Sequence, residues 1–328
     1  MSANNQPVTA SGGIAAYVSV MRPDHWLKNV FILFGHAAAI VLLGLTLSWE
    51  MLGLIIFSLV PACLVASANY IMNEILDAPF DRMHPTKKLR SVASGEAKSS
   101  ILWGIFAVLL IAAWAMSAFV FNVGYQISLL LLFLSVIVYN VQPVRFKDRA
   151  FLDVIAESFN NPIRLWLGWY AISPTTSFPP LSIVLAWWMF GALLMTGKRY
   201  AEYRFINDPE RSGSYRRSFK VYTEKSLLIA MITYANLFCF CGGAAVTYYK
   251  PNLVFIFPLI VAAIIIYFNE AISTEGAKLE PEALLKNPWI ILSTLVVGIA
   301  GIILVLPEPY MPQNIPEMFG FFQLISGK

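Results

Sequence analysis

Residues 69 to 95 read Asn69-Tyr-Ile-Met-Asn73-Glu-Ile-Leu-Asp77-Ala-Pro-Phe-Asp81-Arg-Met-His-Pro-Thr-Lys87-Lys-Leu-Arg90-Ser-Val-Ala-Ser-Gly95. The stretch begins as the end of an apolar helix and finishes as a basic loop. Asn73, Asp77 and Asp81 recur every fourth residue. A step of four turns a helix by only about 40°, so all three share one face. Glu74 lies beside them. Hard oxygen ligands at the end of a membrane helix suit Mg²⁺, which keeps several waters and is completed by substrate phosphates. Lys87, Lys88 and Arg90 follow at once. Carboxylates for a metal beside cations for phosphate imply a diphosphate site at a membrane surface. Pro79 interrupts the acidic row, and a proline inside a helix removes a backbone hydrogen bond and kinks it. Asp81 is therefore expected just past the helix end.

Working outward, 58% of the 328 residues are hydrophobic and 13% are charged. That balance excludes an ordinary soluble domain and predicts an all-α, polytopic membrane protein. No nucleic-acid partner is expected. Cys63, Cys239 and Cys241 lie inside apolar segments and read as inert packing thiols. Residues 1–13 are polar and read as a disordered tail, and no signal peptide is evident.

Nine apolar stretches follow, near 27–47, 51–75, 101–121, 124–140, 152–172, 180–200, 225–248, 252–270 and 288–306. Each approaches the roughly 20 residues that cross a bilayer. Gly13 to Met21 is expected to lie along the membrane surface ahead of them. Lipid offers backbone groups no partner, so the spans must be helical. The expected organisation is one nine-helix domain over 14–306 with a short tail over 307–328. With the N-terminus inside, 20 Lys and Arg fall on that side and two, Lys250 and Lys328, on the other. The positive-inside rule then predicts N-in and C-out in a cytoplasmic (inner) membrane. Asp77, Asp81, Asp148, Asp153, Glu157 and Glu202 all fall on the inner side. Acids do little for topology, and ionisable groups at membrane depth are functional candidates.

A second constellation runs through Tyr139, Asn140, Lys147, Asp153, Glu157, Asn160, Asn161, Pro162 and Arg164. Asp153, Glu157, Asn161 and Arg164 make one polar stripe on an apolar span. It reads as a second metal or hydroxyl-orienting group, or as an internal salt bridge from Asp153 or Glu157 to Arg164. A third, Lys198-Arg199-Tyr-Ala-Glu202, ends the sixth span, where Arg can take a phosphate in bidentate fashion. Arg211 to Lys220 read as solvated charges or contacts to anionic lipid headgroups. Arg22, His25, Trp26, Lys28 and Asn29 form a polar group entering the first span. There Trp26 reads as an interface anchor, with Lys28 and Asn29 reaching for phosphate. His25 and His84 read as structural. No Walker loop, zinc spacing or nucleophile elbow is present.

These residues resemble the UbiA superfamily of intramembrane prenyltransferases. Asn73, Asp77 and Asp81 match its Asn-x-x-x-Asp-x-x-x-Asp pattern, and nine spans with that motif after the second match its bundle. Within it the chain is similar to the branch that moves phosphoribose onto decaprenyl phosphate. Arg22-Pro23 with Trp26-x-Lys28-Asn29, Asp81-Arg82-x-His84-Pro85-x-Lys87 and Lys198-Arg199-x-Ala201-Glu202 resemble that branch's motifs. Lys147, Asp153 and Arg164 fall where it has Lys, Asp and Arg. Glu74 stands where the branch often has Asp, and Ser91 where it has Pro.

The resemblance implies a nine-helix UbiA-type bundle with a central cavity facing the cytoplasm. It implies Mg²⁺ on Asn73, Asp77, Asp81 and Asp153, with Asp77, Asp81 and Asp153 as the catalytic acids. It implies substrate contacts from Lys28, Asn29, Arg82, Lys87, Arg90, Tyr139, Lys147, Asn161, Arg164, Lys198, Arg199 and Glu202. Phosphoribosyl diphosphate would be the donor and a membrane polyprenyl phosphate the acceptor, with the tail lying among membrane lipids. The alternative moves a prenyl group from a polyprenyl diphosphate to an aromatic acceptor, for which the first motif serves equally well. A transporter with a polar midplane site predicts charges through both leaflets, whereas nearly all of these lie on one side.

Overall fold

The computed structural model describes residues 13–82, 87–206, 217–273 and 287–305. Residues 1–12 of the expected tail at 1–13, the expected tail at 307–328, His84 and the loop from Arg211 to Arg216 lie outside the described residues. Every regular element among the described residues is helical. Eleven α-helices run in order: α1 Ile14–Met21, α2 Ile32–Leu43, α3 Trp49–Asp81, α4 Ser99–Ala118, α5 Val123–Asn140, α6 Leu152–Ser158, α7 Asn160–Ile172, α8 Leu181–Ile206, α9 Glu224–Tyr249, α10 Phe257–Ile272 and α11 Pro288–Val305. Among the described residues, eight helical stretches are long and apolar enough to cross a membrane.

Three details depart from expectation. The first span is entered through a 3₁₀ turn over Pro23–Phe31, so α-helix begins only at Ile32. The stretch at 152–172 is two helices meeting at Phe159 rather than one span. Pro162 explains the break: without an N–H it cannot bond the Ser158 carbonyl, but in the first turn of a new helix that loss is harmless. The third departure corrects the reading of Pro79. Helix α3 runs through both Pro61 and Pro79 and keeps Asp81 as its last residue. The Arg82 N–H still donates to the Ala78 carbonyl at 3.1 Å, so the proline loses one bond without ending the helix.

The chain divides into two compact units. The first holds α1 to α7 with the segment 217–221. Here α3 is the common partner, packing against α1, α4, α5, α7 and the 3₁₀ turn. Ile32, Ala62, Val65, Leu129, Ile163 and Leu167 form its central core. Trp26 Nε1 donates to Ser67 Oγ at 2.9 Å, and Ser67 donates to the Met21 carbonyl at 2.9 Å, pinning the 3₁₀ turn to α3. Helices α2 and α7 cross at two facing glycines. A Cβ on Gly35 would strike the Leu165 carbonyl oxygen, and one on Gly168 the Ile32 carbonyl oxygen. Close crossings of this kind replace the hydrophobic driving force that lipid removes.

The second unit holds α8 to α11. Helix α9 opens with a reciprocal cap in which Thr223 Oγ1 accepts from Ser226 N–H at 3.1 Å and Ser226 Oγ accepts from Thr223 N–H at 3.0 Å. Tyr267 of α10 lies against Gly197 and donates to the Leu194 carbonyl at 2.8 Å, joining α10 to α8.

The glycine crossing is testable. Gly168→Ala should lower thermal stability in detergent by an amount equivalent to about 1–3 kcal/mol. Gly104→Ala, where an added Cβ meets nothing within 4 Å, should be neutral or stabilising. Equal effects of the two substitutions would contradict the packing described.

Candidate functional site

The site grows from one face of α3 in the first unit. Asn69, Asn73, Asp77 and Asp81 follow one another at intervals of four, from the interior to the helix end. Asn69 is 5% exposed, whereas the Asp77 side chain is 32% exposed. Asn69 Nδ2 donates to the Leu132 carbonyl of α5 at 3.3 Å. The side-chain oxygens of Asn69 and Asn73 are both buried and have no hydrogen-bond partner among the described residues. Lys147 Nζ stands 3.5 Å from Asp77 Oδ1 and donates to Asn140 Oδ1 at 3.1 Å. Burial pushes the Lys147 ammonium below its ordinary pKa; Asp77 opposes that shift and Arg145 adds to it. Arg145 and Phe151, at either end of this loop, adopt left-handed backbone with φ of 34° and 64°. For non-glycine residues that conformation costs on the order of 1 kcal/mol each, strain of the kind that collects at functional sites.

The basic loop after α3 is folded back onto it. Arg90 Nη1 bonds Asp81 Oδ2 at 2.7 Å. Arg82 Nε donates to the Ala93 carbonyl at 3.4 Å. Glu74 is buried, accepts from the Val92 N–H at 3.2 Å and faces Arg22 at 4.0 Å. Glu74 thus anchors the loop. Lys87 opens a short 3₁₀ turn and is half-buried.

The 3₁₀ turn over Pro23–Phe31 supplies the opposite cations. Arg22 stacks over the Tyr70 ring at 5.5 Å, and the His25 ring lies 5.2 Å from the same tyrosine. Lys28 Nζ is 3.0 Å from His25 Nδ1. Asn29 is buried between Cys63, to which its Nδ2 donates at 3.2 Å, and Arg164, whose Nε donates to Asn29 Oδ1 at 3.2 Å. Arg164 therefore bonds an amide and not Asp153 or Glu157, so the internal salt bridge considered for it does not form. Glu157 instead accepts from the Tyr139 hydroxyl at 3.0 Å. Asn161 is buried.

Asp153 is fully buried. Its Oδ1 accepts from the Val154 N–H at 2.9 Å and its Oδ2 from Ser218 Oγ at 3.2 Å. Ser218 and Phe219 are buried too, so part of the segment expected to be solvated is anchored, while Arg217 beside them is 75% exposed.

In the second unit Lys198, Arg199 and Glu202 lie along α8. Arg199 is 2% exposed, and its Nη1 bonds Glu202 Oε2 at 3.1 Å. The motif spacing thus builds an i,i+3 ion pair.

Among the described residues no three His, Cys, Asp or Glu side chains come together as a ready metal cage. Mg²⁺ does not require one, since one or two protein oxygens plus substrate phosphates hold it. The buried, unpartnered oxygen of Asn73, one turn before the accessible carboxylate of Asp77, fits such a site. Asp81 and Asp153 already hold donors of this chain, Arg90 and Ser218. Asn69 was not singled out from the sequence, although the same interval of four that marks Asn73, Asp77 and Asp81 leads back to it.

Comparison with known proteins adds the following. Residues 29–293 match the UbiA prenyltransferase family. A decaprenyl-phosphate phosphoribosyltransferase of Mycobacterium tuberculosis strain H37Rv is 30% identical over 243 residues, which cover 70% of this chain and 73% of that protein. One from Mycolicibacterium smegmatis is 28% identical over 242 residues, 70% of each chain. The solved structure of a UbiA homolog from Archaeoglobus fulgidus bound to GPP and Mg²⁺ superposes with a TM-score of 0.65 at 19% identity, covering 89% of this chain and all of that one.

Glu74→Ala should unfasten the loop. The Val92 amide loses its acceptor, which costs about 1–3 kcal/mol when the group stays buried. Hydrogen exchange at Val92 and its neighbours should accelerate by 10-fold or more, and unchanged exchange would contradict the anchoring role.

Proposed function

The chain belongs to the UbiA prenyltransferase family, and from that premise we propose that it transfers 5-phosphoribose from phosphoribosyl diphosphate to a polyprenyl phosphate, releasing diphosphate. The observation that carries this reading is the number of cations on elements packed against α3. Arg22, Lys28 and Arg164 belong to that set, with Arg90 on the loop after α3 and Lys147 beside Asp77. An isoprenoid diphosphate presents one diphosphate. The sugar donor adds a 5-phosphate, and the lipid acceptor adds another. The names of the relatives in the two mycobacteria support the same choice.

The proposed enzyme is an integral protein of the cytoplasmic membrane, crossing nine times as one domain, with α6 and α7 together making the fifth crossing. Its N-terminus and a central cavity face the cytoplasm, and its C-terminus lies outside. Asn73 and Asp77 would hold Mg²⁺. Asp81 and Asp153 are the remaining proposed ligands, and each would exchange its present donor for the metal. When bound, the ion neutralises charge on the departing diphosphate. Lys28, Lys87 and Lys147 would grip phosphate oxygens as point charges, and Arg82, Arg90 and Arg164 as forks. Tyr139, Asn29 and Asn161 would position the sugar. On α8, Lys198 and Arg199 are proposed phosphate contacts, with Glu202 orienting the arginine. The acceptor phosphate is already anionic, so no side chain need act as a strong base.

Purified protein given Mg²⁺, phosphoribosyl diphosphate and a polyprenyl phosphate should form a phosphoribosylated lipid. Failure to do so, with prenyl transfer to an aromatic acid instead, would overturn the reading. Asp77→Asn should lower kcat by 100-fold or more, as loss of an electrostatic contact to the reacting group does. Lys198→Ala should raise the KM for the donor more than that for the lipid.

A further inference from the structure

Asn69 stands apart from the residues assigned so far. It belongs to α3, four residues before Asn73, and is 5% exposed. Its amide orientation is dictated by its neighbour: the Leu132 carbonyl can only accept, so Nδ2 must face it, at 3.3 Å. Oδ1 is thereby turned away, buried and without a hydrogen-bond partner among the described residues. Buried polar groups are almost always paired, so an orphaned acceptor needs an explanation.

The surroundings narrow what could pair it. Ser135 Oγ lies 2.9 Å from the Leu132 carbonyl and 2.8 Å from Asn160 Oδ1. Its single proton can serve only one of the two, and neither is Asn69 Oδ1. Asn160 Nδ2 is committed to the Glu157 carbonyl at 3.0 Å, and the Tyr139 hydroxyl to Glu157 Oε2 at 3.0 Å. None of these donors bonds Asn69 Oδ1. One turn along α3, Asn73 repeats the pattern with a second orphaned oxygen, and Asp77 beyond it is accessible. The face is a row of oxygen acceptors leading inward from the helix end.

We infer that Asn69 is a specificity-determining residue whose Oδ1 accepts a hydrogen bond from a ring hydroxyl of the sugar donor. The inference rests on the phosphoribosyl reading above and deepens it. The cation is assigned to Asn73 and Asp77, one and two turns nearer the helix end, and a diphosphate brings no proton to a buried amide oxygen. An isoprenoid chain brings none either. A pentose with free 2- and 3-hydroxyls brings two, and Asn69 makes one of them a requirement. Sites built around a substrate hydroxyl reject analogues that lack it, because the site's own polar group is left unpaired.

The test compares kcat/KM for phosphoribosyl diphosphate with that for its 2-deoxy and 3-deoxy analogues, using the full-length protein in detergent with Mg²⁺ and a polyprenyl phosphate. The unmodified protein should disfavour one deoxy analogue by roughly 10- to 100-fold. Asn69→Leu, similar in shape but unable to accept, should disfavour the same analogue by less than about 3-fold. Asn69→Ser provides a smaller variant should the leucine protein fail to elute as a single species. The ratio of donors within each protein is insensitive to a general loss of stability, which a merely structural role would produce. Undiminished discrimination in the variants, or none in the unmodified protein, overturns the assignment while leaving phosphoribosyl transfer intact. An unmodified protein that turns over none of the three sugar donors overturns the transfer reading itself, and this inference with it.

Discussion

The first unit depends on α3 being longer than a membrane is thick. Its 33 residues span about 50 Å at 1.5 Å each, against a hydrocarbon core of about 30 Å. The surplus turns must emerge into an interface, and they carry Asn73, Asp77 and Asp81. Both prolines within the helix are tolerated because its neighbours hold it: α1, α4, α5, α7 and the 3₁₀ turn all pack against it. Shortening this helix would remove the acidic row outright.

A polar interior beside such a helix is costly, because lipid supplies no partner for an amide or a charge. The unit meets the cost by pairing most of its polar groups across helices. Asn29 with Arg164, Glu157 with Tyr139, and Asp153 with Ser218 are three such pairs. What is left unpaired is therefore informative. The oxygens of Asn69 and Asn73 are the unpaired buried atoms on α3 among the described residues; His36 Nδ1, Gln126 Nε2 and Trp166 Nε1 are unpaired on other helices. The same logic separates Glu74 from its neighbours: holding Val92 and facing Arg22, it shapes the loop.

Much of this was legible in the sequence. The interval of four placed Asn73, Asp77 and Asp81 on a common face, and the apolar stretches located the long helices. The break at Phe159 was half visible in Asn160-Asn161-Pro162, a triplet that suits the start of a helix better than its middle. Pro79 misled because a proline's local cost says nothing of the packing that outweighs it. The partners of Asp153 and Glu74 were illegible for a different reason. Ser218 is 65 residues from Asp153, and Arg22 is 52 from Glu74; no local period links such pairs. Arg199 and Glu202 were recognised as a motif, but their spacing of three also spells an ion pair, which the buried guanidinium needs.

The central claim is that Asn73 and Asp77 hold a divalent cation together with a diphosphate. The most direct measurement is titration of the purified protein with Mn²⁺ and inorganic diphosphate, followed by electron paramagnetic resonance, in the unmodified chain and in Asp77→Asn. The account predicts a bound-Mn²⁺ signal that requires diphosphate and weakens by at least 10-fold in affinity with the substitution. Equal binding by both proteins would contradict it.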